Sequence, residues 1–277
     1  MLRFFLILAM CGSFFGSARA DTFEGRDFIL VDGRADKSRP AALVVAMHGF
    51  LGTAQSMQQK TTFDAVANRH GFVVVYPSGV RRRWNDGRSA RNRTDDVGFL
   101  SDLISDLVRR GIADADRVFL AGHSNGGGMA MRMACDRPDL VSGIAVAATK
   151  VLTNYSCEDG DPVPAIFFHG TLDPISPDGG RSGGLGDALS SEASLSVWKA
   201  RNRCTGPVRT QTFDRVDDDT SIRSATYTNC RAKLRHILIE GHGHGWPDPR
   251  SRATRLQGPA TKEVDAAASS WRFFSQL

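Results

Sequence analysis

A serine, a carboxylate and a histidine, each placed where an apolar run gives way to glycine, are the groups that acyl transfer needs. Ser124 lies in Gly122-His123-Ser124-Asn125-Gly126, after the run Val118-Phe119-Leu120. Asp173 closes His169-Gly170-Thr171-Leu172-Asp173, after Ala165-Ile166-Phe167-Phe168. His244 sits in Gly241-His242-Gly243-His244-Gly245-Trp246-Pro247, after Leu234 to Glu240. Serine is a poor nucleophile at neutral pH. A histidine must take its proton, and a carboxylate must orient that histidine and stabilise its cation. The Gly-x-Ser-x-Gly spacing, with a helical run Met129 to Ala134 behind it, is that of a sharp strand-to-helix turn that presents the serine oxygen. His48-Gly49-Phe50, after Ala42 to Met47, is a fourth strand end. There the backbone N–H of Phe50 can join that of Asn125 as an oxyanion hole.

Each assignment has a rival. Asp178 competes with Asp173 as the acid, and Asp173 is favoured because it comes sooner after its strand. His242 competes with His244 as the base. His48, His242 and His244 could hold zinc, but no carboxylate or thiolate set joins them, so neither metal nor cofactor is expected. His123 and His169 read as site-wall or structural histidines. Trp84 and Trp246 fall in loops beside the proposed site and are expected to line it as substrate-stacking aromatics. The rival reading of Trp246 is that it packs the loop and fixes His244.

The elements that position these groups read as alternating strands and helices. Strands are expected from Phe23 to Val31, Ala42 to Met47, Phe72 to Tyr76, Arg117 to Leu120, Leu140 to Ala148, Pro164 to Phe168, Thr220 to Thr228 and Leu234 to Glu240. Helices are expected around Phe63 to Asn68, from Asp95 to Gly111, after Ser124, from Leu189 to Arg201 and from Thr261 to Phe274. Continuous apolar strands between helices imply an α/β fold whose mostly parallel sheet is covered on both faces. Polar groups at the carboxyl ends of such strands can converge. Between Tyr76 and Asp95 runs a polar excursion with six arginines from Arg81 to Arg93 and Trp84 among them. Arginine runs of this kind are usually solvated loops.

The first residues, Met1-Leu2-Arg3 followed by Phe4 to Met10 and ending Ala18-Arg19-Ala20, have the form of a secretory signal cut after Ala20. Its apolar run is too short to span a bilayer, so no membrane anchor is expected. Residues 21–277 then form a single catalytic domain, secreted to the periplasm or beyond. Losing Arg3 and Arg19 takes the formal charge from +5 to +3. That mild balance gives no case for nucleic acid. Removing Cys11 leaves Cys135, Cys157, Cys204 and Cys230, an even number in an exported chain, which implies two disulfides. Three pairings are open, and the sequential one is favoured.

Taken together, His48-Gly49, Tyr76-Pro77 with Trp84-Asn85, Asp96-Val97-Gly98-Phe99, Gly122-His123-Ser124-Asn125-Gly126-Gly127, His169-Gly170-Thr171-x-Asp173 and His244-x-Trp246-Pro247 resemble one family. It is the secreted esterases that group polyhydroxybutyrate depolymerases with feruloyl and acetylxylan esterases. The resemblance covers nearly all of residues 21–277. It implies an α/β-hydrolase fold, Ser124 as nucleophile, Asp173 as acid, His244 as base, and the pairings Cys135–Cys157 and Cys204–Cys230. The implied substrate is an ester, either a hydroxyalkanoate oligomer or polymer or a plant cell-wall ester. An amide hydrolase and an inactive binding module of the same fold are the alternatives. The sequence departs from the family at His242, where a glycine is usual, and at Gly245, where threonine is usual.

Overall fold

A computed structural model describes residues 21–153, 157–183 and 186–277. The expected signal segment lies outside the described residues. The elements, in chain order, are β1 (Asp21–Phe23), β2 (Arg26–Asp32), β3 (Ala41–Met47), α1 (Ala54–Lys60), α2 (Phe63–His70), β4 (Val73–Pro77), α3 (Asp96–Arg109), β5 (Ala113–His123), α4 (Asn125–Asp136), β6 (Gly143–Ala147), β7 (Ala165–Gly170), α5 (Ser191–Arg201), β8 (Arg209–Phe213), β9 (Ser221–Thr226), β10 (Leu234–Glu240) and α6 (Ala266–Phe274). The strands form one sheet in the order β1-β2-β4-β3-β5-β6-β7-β10-β9-β8. From β4 to β10 every neighbouring pair is parallel; antiparallel strands flank both sides.

The apolar runs follow from this placement. In β3, Leu43, Val45 and Met47 point to one face and Ala42, Val44 and Ala46 to the other, and both sets are buried. The first face is covered by α3, α4 and α5 through Leu100, Leu103, Met129, Met133, Leu195 and Trp198. The second is covered by α1, α2 and α6 through Met57, Phe63, Val66 and Trp271. Phe119 stacks on Phe274 with ring centroids 4.5 Å apart, and Phe72 on Trp271 at 4.0 Å. A strand covered on both faces has no polar side to alternate with.

Some expected elements differ. The first strand is a hairpin, β1 and β2, because Glu24 (φ 48°) and Gly25 (φ 73°) make a tight left-handed turn inside it. The last helix starts only at Ala266, where the Asp265 carboxylate caps it by accepting from the Ala268 N–H. The strand expected from Leu140 begins at Gly143, after a 3-10 turn over Pro138–Leu140. Helix α1 and strand β8 were not expected. Helix α1 is a short segment fixed by a reciprocal cap between Thr53 and Ser56. Strand β8 is exposed along most of its length and carries no apolar pattern. Disulfides join Cys135 to Cys157 and Cys204 to Cys230. Among the described residues no helix is long and apolar enough to cross a membrane.

Candidate active site

Strand β5 enters the site between β3 and β6 and ends one residue before Ser124, which has φ 52° and ψ −117°. A residue with a side chain adopts this region only when the surroundings enforce it. Here the Ser124 N–H donates to the Ala147 carbonyl at the end of β6 (2.8 Å), and its own carbonyl accepts from Gly128 in α4 (3.0 Å). Two glycines make the turn possible. A Cβ on Gly122 would collide with the Gly126 carbonyl, and one on Gly126 with the carbonyls of Met47 and His48 at the end of β3. Helix α4 therefore lies against two strand ends with its N-terminus toward the serine, where negative charge is favoured.

His244, in the loop after β10, brings Nε2 to 2.9 Å from Ser124 Oγ and Nδ1 to 2.8 Å and 2.9 Å from the two Asp173 oxygens. Burial alone would raise the pKa of Asp173. The hydrogen bond and charge of His244, with the backbone N–H groups of Ser176 (2.7 Å) and Ile175 (2.8 Å), outweigh it and hold the carboxyl below its ordinary value. An ionised carboxylate only accepts, so the imidazole proton belongs on Nδ1 and Nε2 is left to accept from the serine hydroxyl. The structure thus brings Ser124, Asp173 and His244 into one hydrogen-bonded line, with the serine opening on a cleft of about 940 Å³. Phe50 and Asn125 border the same cleft.

The other histidines hold the framework. His242 accepts from the Thr261 N–H at Nδ1 (3.0 Å) and donates from Nε2 to the Gly245 carbonyl (3.1 Å), so both its nitrogens are used in shaping the loop. It is not the histidine that meets Ser124. His123 donates from Nε2 to the His244 carbonyl (2.7 Å); burial, with His244 nearby, lowers its pKa to about 3 and keeps it neutral. His48 accepts from the Gly79 N–H (3.0 Å) and contacts the Gly49 carbonyl through Nδ1 (2.7 Å). His169 donates to the Thr149 carbonyl and meets His236. Among the described residues no group of three metal-ligating side chains is gathered.

Both tryptophans depart from the expectation. Trp84 borders the cleft but is 1% exposed. Its indole N–H donates to the His48 carbonyl (3.0 Å), and its backbone N–H and C=O pair with the Asn125 side-chain amide (2.7 and 3.0 Å). It braces the loop after β4 against the serine turn and offers no open ring face. Trp246 is 2% exposed and packs against Phe63, centroids 5.9 Å apart, in the core under α1 and α2. It does not border the Ser124 cleft. The chain turns inward after His244, tied down by the Ala266 N–H on the Pro247 carbonyl (2.9 Å). The loop reading of Trp246 is the one that fits.

The polar excursion is more than a solvated loop. Arg82, Arg83, Arg88 and Arg91 border the cleft, and Arg88 pairs with buried Asp86. In sequence it is a run of arginines between a strand and a helix, and composition alone does not tell which way a loop folds. Exposed Leu51 and Leu256, with the side chain of Phe50, form an apolar lip that no motif in the sequence marks.

A family model described as Esterase PHB depolymerase matches residues 28–158. The poly(3-hydroxybutyrate) depolymerase of Ralstonia pickettii is 25% identical over 84% of this chain and 52% of its own length. Feruloyl esterase B of Piromyces equi is 25% identical over 77% of this chain and 41% of its own. The chain thus spans about half the length of these curated relatives. The solved acetyl xylan esterase from Aspergillus awamori has the same fold, with a TM-score of 0.62 at 18% identity, covering 84% of this chain and 96% of that one. The fold is that of the α/β-hydrolases, and in sequence the chain is similar to the polyhydroxybutyrate depolymerases and the feruloyl esterases.

Proposed function

We propose that this chain is a secreted serine carboxylic-ester hydrolase, comprising one catalytic domain over residues 21–277 after a signal segment. The observation that carries the reading is the unbroken line Asp173–His244–Ser124, at 2.8 and 2.9 Å, opening on a cleft. In the first half-reaction Ser124 Oγ bonds to the ester carbonyl carbon as its proton passes to His244 Nε2. The negative oxygen of the tetrahedral species lies toward the backbone N–H groups of Phe50 and Asn125. The C–O bond to the alcohol breaks, His244 returns the proton to the alcohol, and the acyl group stays on Ser124. Water repeats the sequence and releases the acid. Asp173 stabilises the imidazolium in both halves without taking its proton. No cofactor or metal enters these steps.

Relatives named for polyhydroxybutyrate and for feruloyl esters point to a hydroxyalkanoate oligomer or polymer, or a plant cell-wall ester, as the substrate. Two disulfides support an oxidising, exported setting. The test is a panel of initial rates on methyl ferulate, acetylated xylan, short-chain nitrophenyl esters and 3-hydroxybutyrate oligomers, beside matching amides, with fluorophosphonate labelling in parallel. Ester turnover and labelling that both vanish in Ser124→Ala are expected. Turnover of amides alone would make the chain an amidase. An unlabelled, inert protein would make it a binding module.

A further inference from the structure

Among the described residues, the walls of the Ser124 cleft carry Lys60, Arg82, Arg83, Arg88, Arg91 and Arg181 and not one carboxylate, although the chain has 30 acidic residues. The cations come from separate parts of the fold: the end of α1, the loop between β4 and α3, and the loop after β7. Some are fixed by the framework. Arg82 donates to the Leu51 carbonyl, and Arg181 to the carbonyls of Ile175 (2.8 Å) and Gly186 (3.0 Å). Arg88 is held by Asp86. Lys60, Arg83 and Arg91 have no carboxylate partner among the described residues.

Neighbouring groups feel the charge of this collar. After burial, the Arg88 charge on a different loop is the next cause lowering the Arg181 pKa, with the carboxylates of Asp173, Asp86 and Asp187 behind the cleft wall opposing it. Lys60 acts in the same sense as Arg88 on buried His48 and His123 beneath the cleft floor. Like charges crowded into a concavity focus a positive potential there, at a cost in self-repulsion. The cleft mouth between them is apolar, with Phe50 (52% exposed), Leu51 (57%) and Leu256 (75%) on its lip. An apolar lip within a cationic collar matches a molecule that is itself mostly apolar and carries one negative group.

We propose that the cleft selects esters that bear a free carboxylate on one side of the scissile bond, held by this collar while the apolar part lies against Phe50, Leu51 and Leu256. Arginine presents a planar fork that carboxylate accepts bidentately, and Arg83 and Arg91 are the side chains best placed to turn toward it. The inference rests on the esterase reading, and it narrows that reading from esters in general to acid-bearing ones.

The experiment uses matched pairs that differ only in charge. One pair places it on the alcohol side: the acetyl ester of 3-hydroxybutanoate against that of 3-hydroxybutanamide. The other places it on the acyl side: monophenyl adipate against the phenyl ester of adipamic acid. For at least one pair, kcat/KM for the carboxylate is expected to exceed that for the carboxamide by about tenfold or more at low salt. That ratio is expected to fall several-fold in about 0.5 M NaCl, where screening shortens to a few ångströms. In the double variant Arg83→Gln/Arg91→Gln the low-salt ratio should drop toward one, with fluorophosphonate labelling of Ser124 reporting that the variant is folded. Ratios at or below one for both pairs in the unmodified protein, with all four compounds turned over, overturn the anion inference and leave the esterase reading standing. A ratio unchanged in the double variant overturns the assignment to the collar. Failure of every ester to turn over, with no labelling, removes the esterase reading itself.

Discussion

At the scale of single residues, the two histidines of the 241–247 loop make a direct comparison. His244 touches both Ser124 and Asp173, whereas His242 spends both its nitrogens on backbone groups. His244→Ala and Ser124→Ala should each lower kcat by a factor on the order of 10⁴ to 10⁶, and to a similar degree, because members of such a line act as a unit. His242→Ala should leave the chemistry in place and lower stability, since a buried N–H of Thr261 loses its acceptor. Steady-state rates on one nitrophenyl ester decide it, and an inert His242→Ala beside an active His244→Ala would reverse the assignment. Trp246 belongs to the same loop but to a different energy. Removing its ring from contact with Phe63 should cost about 3–5 kcal/mol of stability, as for other buried tryptophans. Any loss of kcat in Trp246→Ala should then be the same factor for aromatic and aliphatic esters. A KM increase confined to aromatic esters, with urea stability unchanged, would put the ring back on the substrate.

At the scale of elements, the loop between β4 and α3 depends on one carboxylate. Asp95 caps α3 by accepting from the Gly98 N–H (2.8 Å), as a helix-opening acid should. Its neighbour Asp96 does something else. It is buried, accepts from the Asn85 N–H (2.6 Å) and pairs with Arg26 of β2 at 2.5 Å, while Arg26 lies over the Phe99 ring. Burial raises its pKa, and the Asn85 and Arg26 bonds work against that rise. Asp96→Ala should therefore cost about 3 kcal/mol, as one partner of a buried pair is lost. Arg26→Ala on top of it should add little, because the pair is already broken. A urea double-mutant cycle reads this, and fully additive losses would show that the two side chains are not coupled. Such ties also mark the limit of what the chain discloses in one dimension. The central strands were legible because both faces of β3 to β7 are buried, and the site residues because they follow those strands directly. The Glu24-Gly25 hairpin turn, exposed β8, the inward path of Trp246 and the folding of the arginine loop over the cleft were not. The hairpin turn is a local choice of two left-handed residues and β8 carries no apolar pattern, whereas the last two are decided by contacts between residues far apart in sequence, as Asp96 with Arg26 and Trp84 with Asn125 are.

At the scale of the whole molecule, buried histidines set how the fold responds to acid. Burial is the leading cause lowering the pKa of His48, His123, His169, His236 and His242, with His123 brought to about 3 and His236 to about 4. Neighbouring cations reinforce it: Lys150 acts on His169, and Arg223 and Lys150 on His236, while His236 disfavours a proton on the His169 ring. Asp178 opposes the shift at His236, and Asp173 those at His123 and His242. These groups are neutral in the fold, but in the unfolded chain they protonate around the ordinary value of 6.5. Below that pH the unfolded chain binds more protons than the folded one, so stability falls as pH falls. The loss continues until the folded pKa of each group is reached. Each histidine contributes up to about 1.4 kcal/mol per pH unit in that window. Asp173 adds a loss in the same direction, but only below the ordinary carboxylate value of 3.8, so it does not blur the histidine range. If only two of the five histidines act fully, about 3 kcal/mol disappears per pH unit, a large share of the roughly 5–15 kcal/mol that a domain has. Urea unfolding free energies should thus hold level near pH 7 and decline steeply between about pH 6 and 4.5, with the disulfides kept intact. His169 and His236 meet each other, so replacing both with asparagine should flatten that slope by up to two protons. A stability that stayed level down to pH 4.5 would mean that the buried histidines do not set the acid response, and a slope indifferent to the double replacement would take it away from His169 and His236 and leave it to His48, His123 and His242.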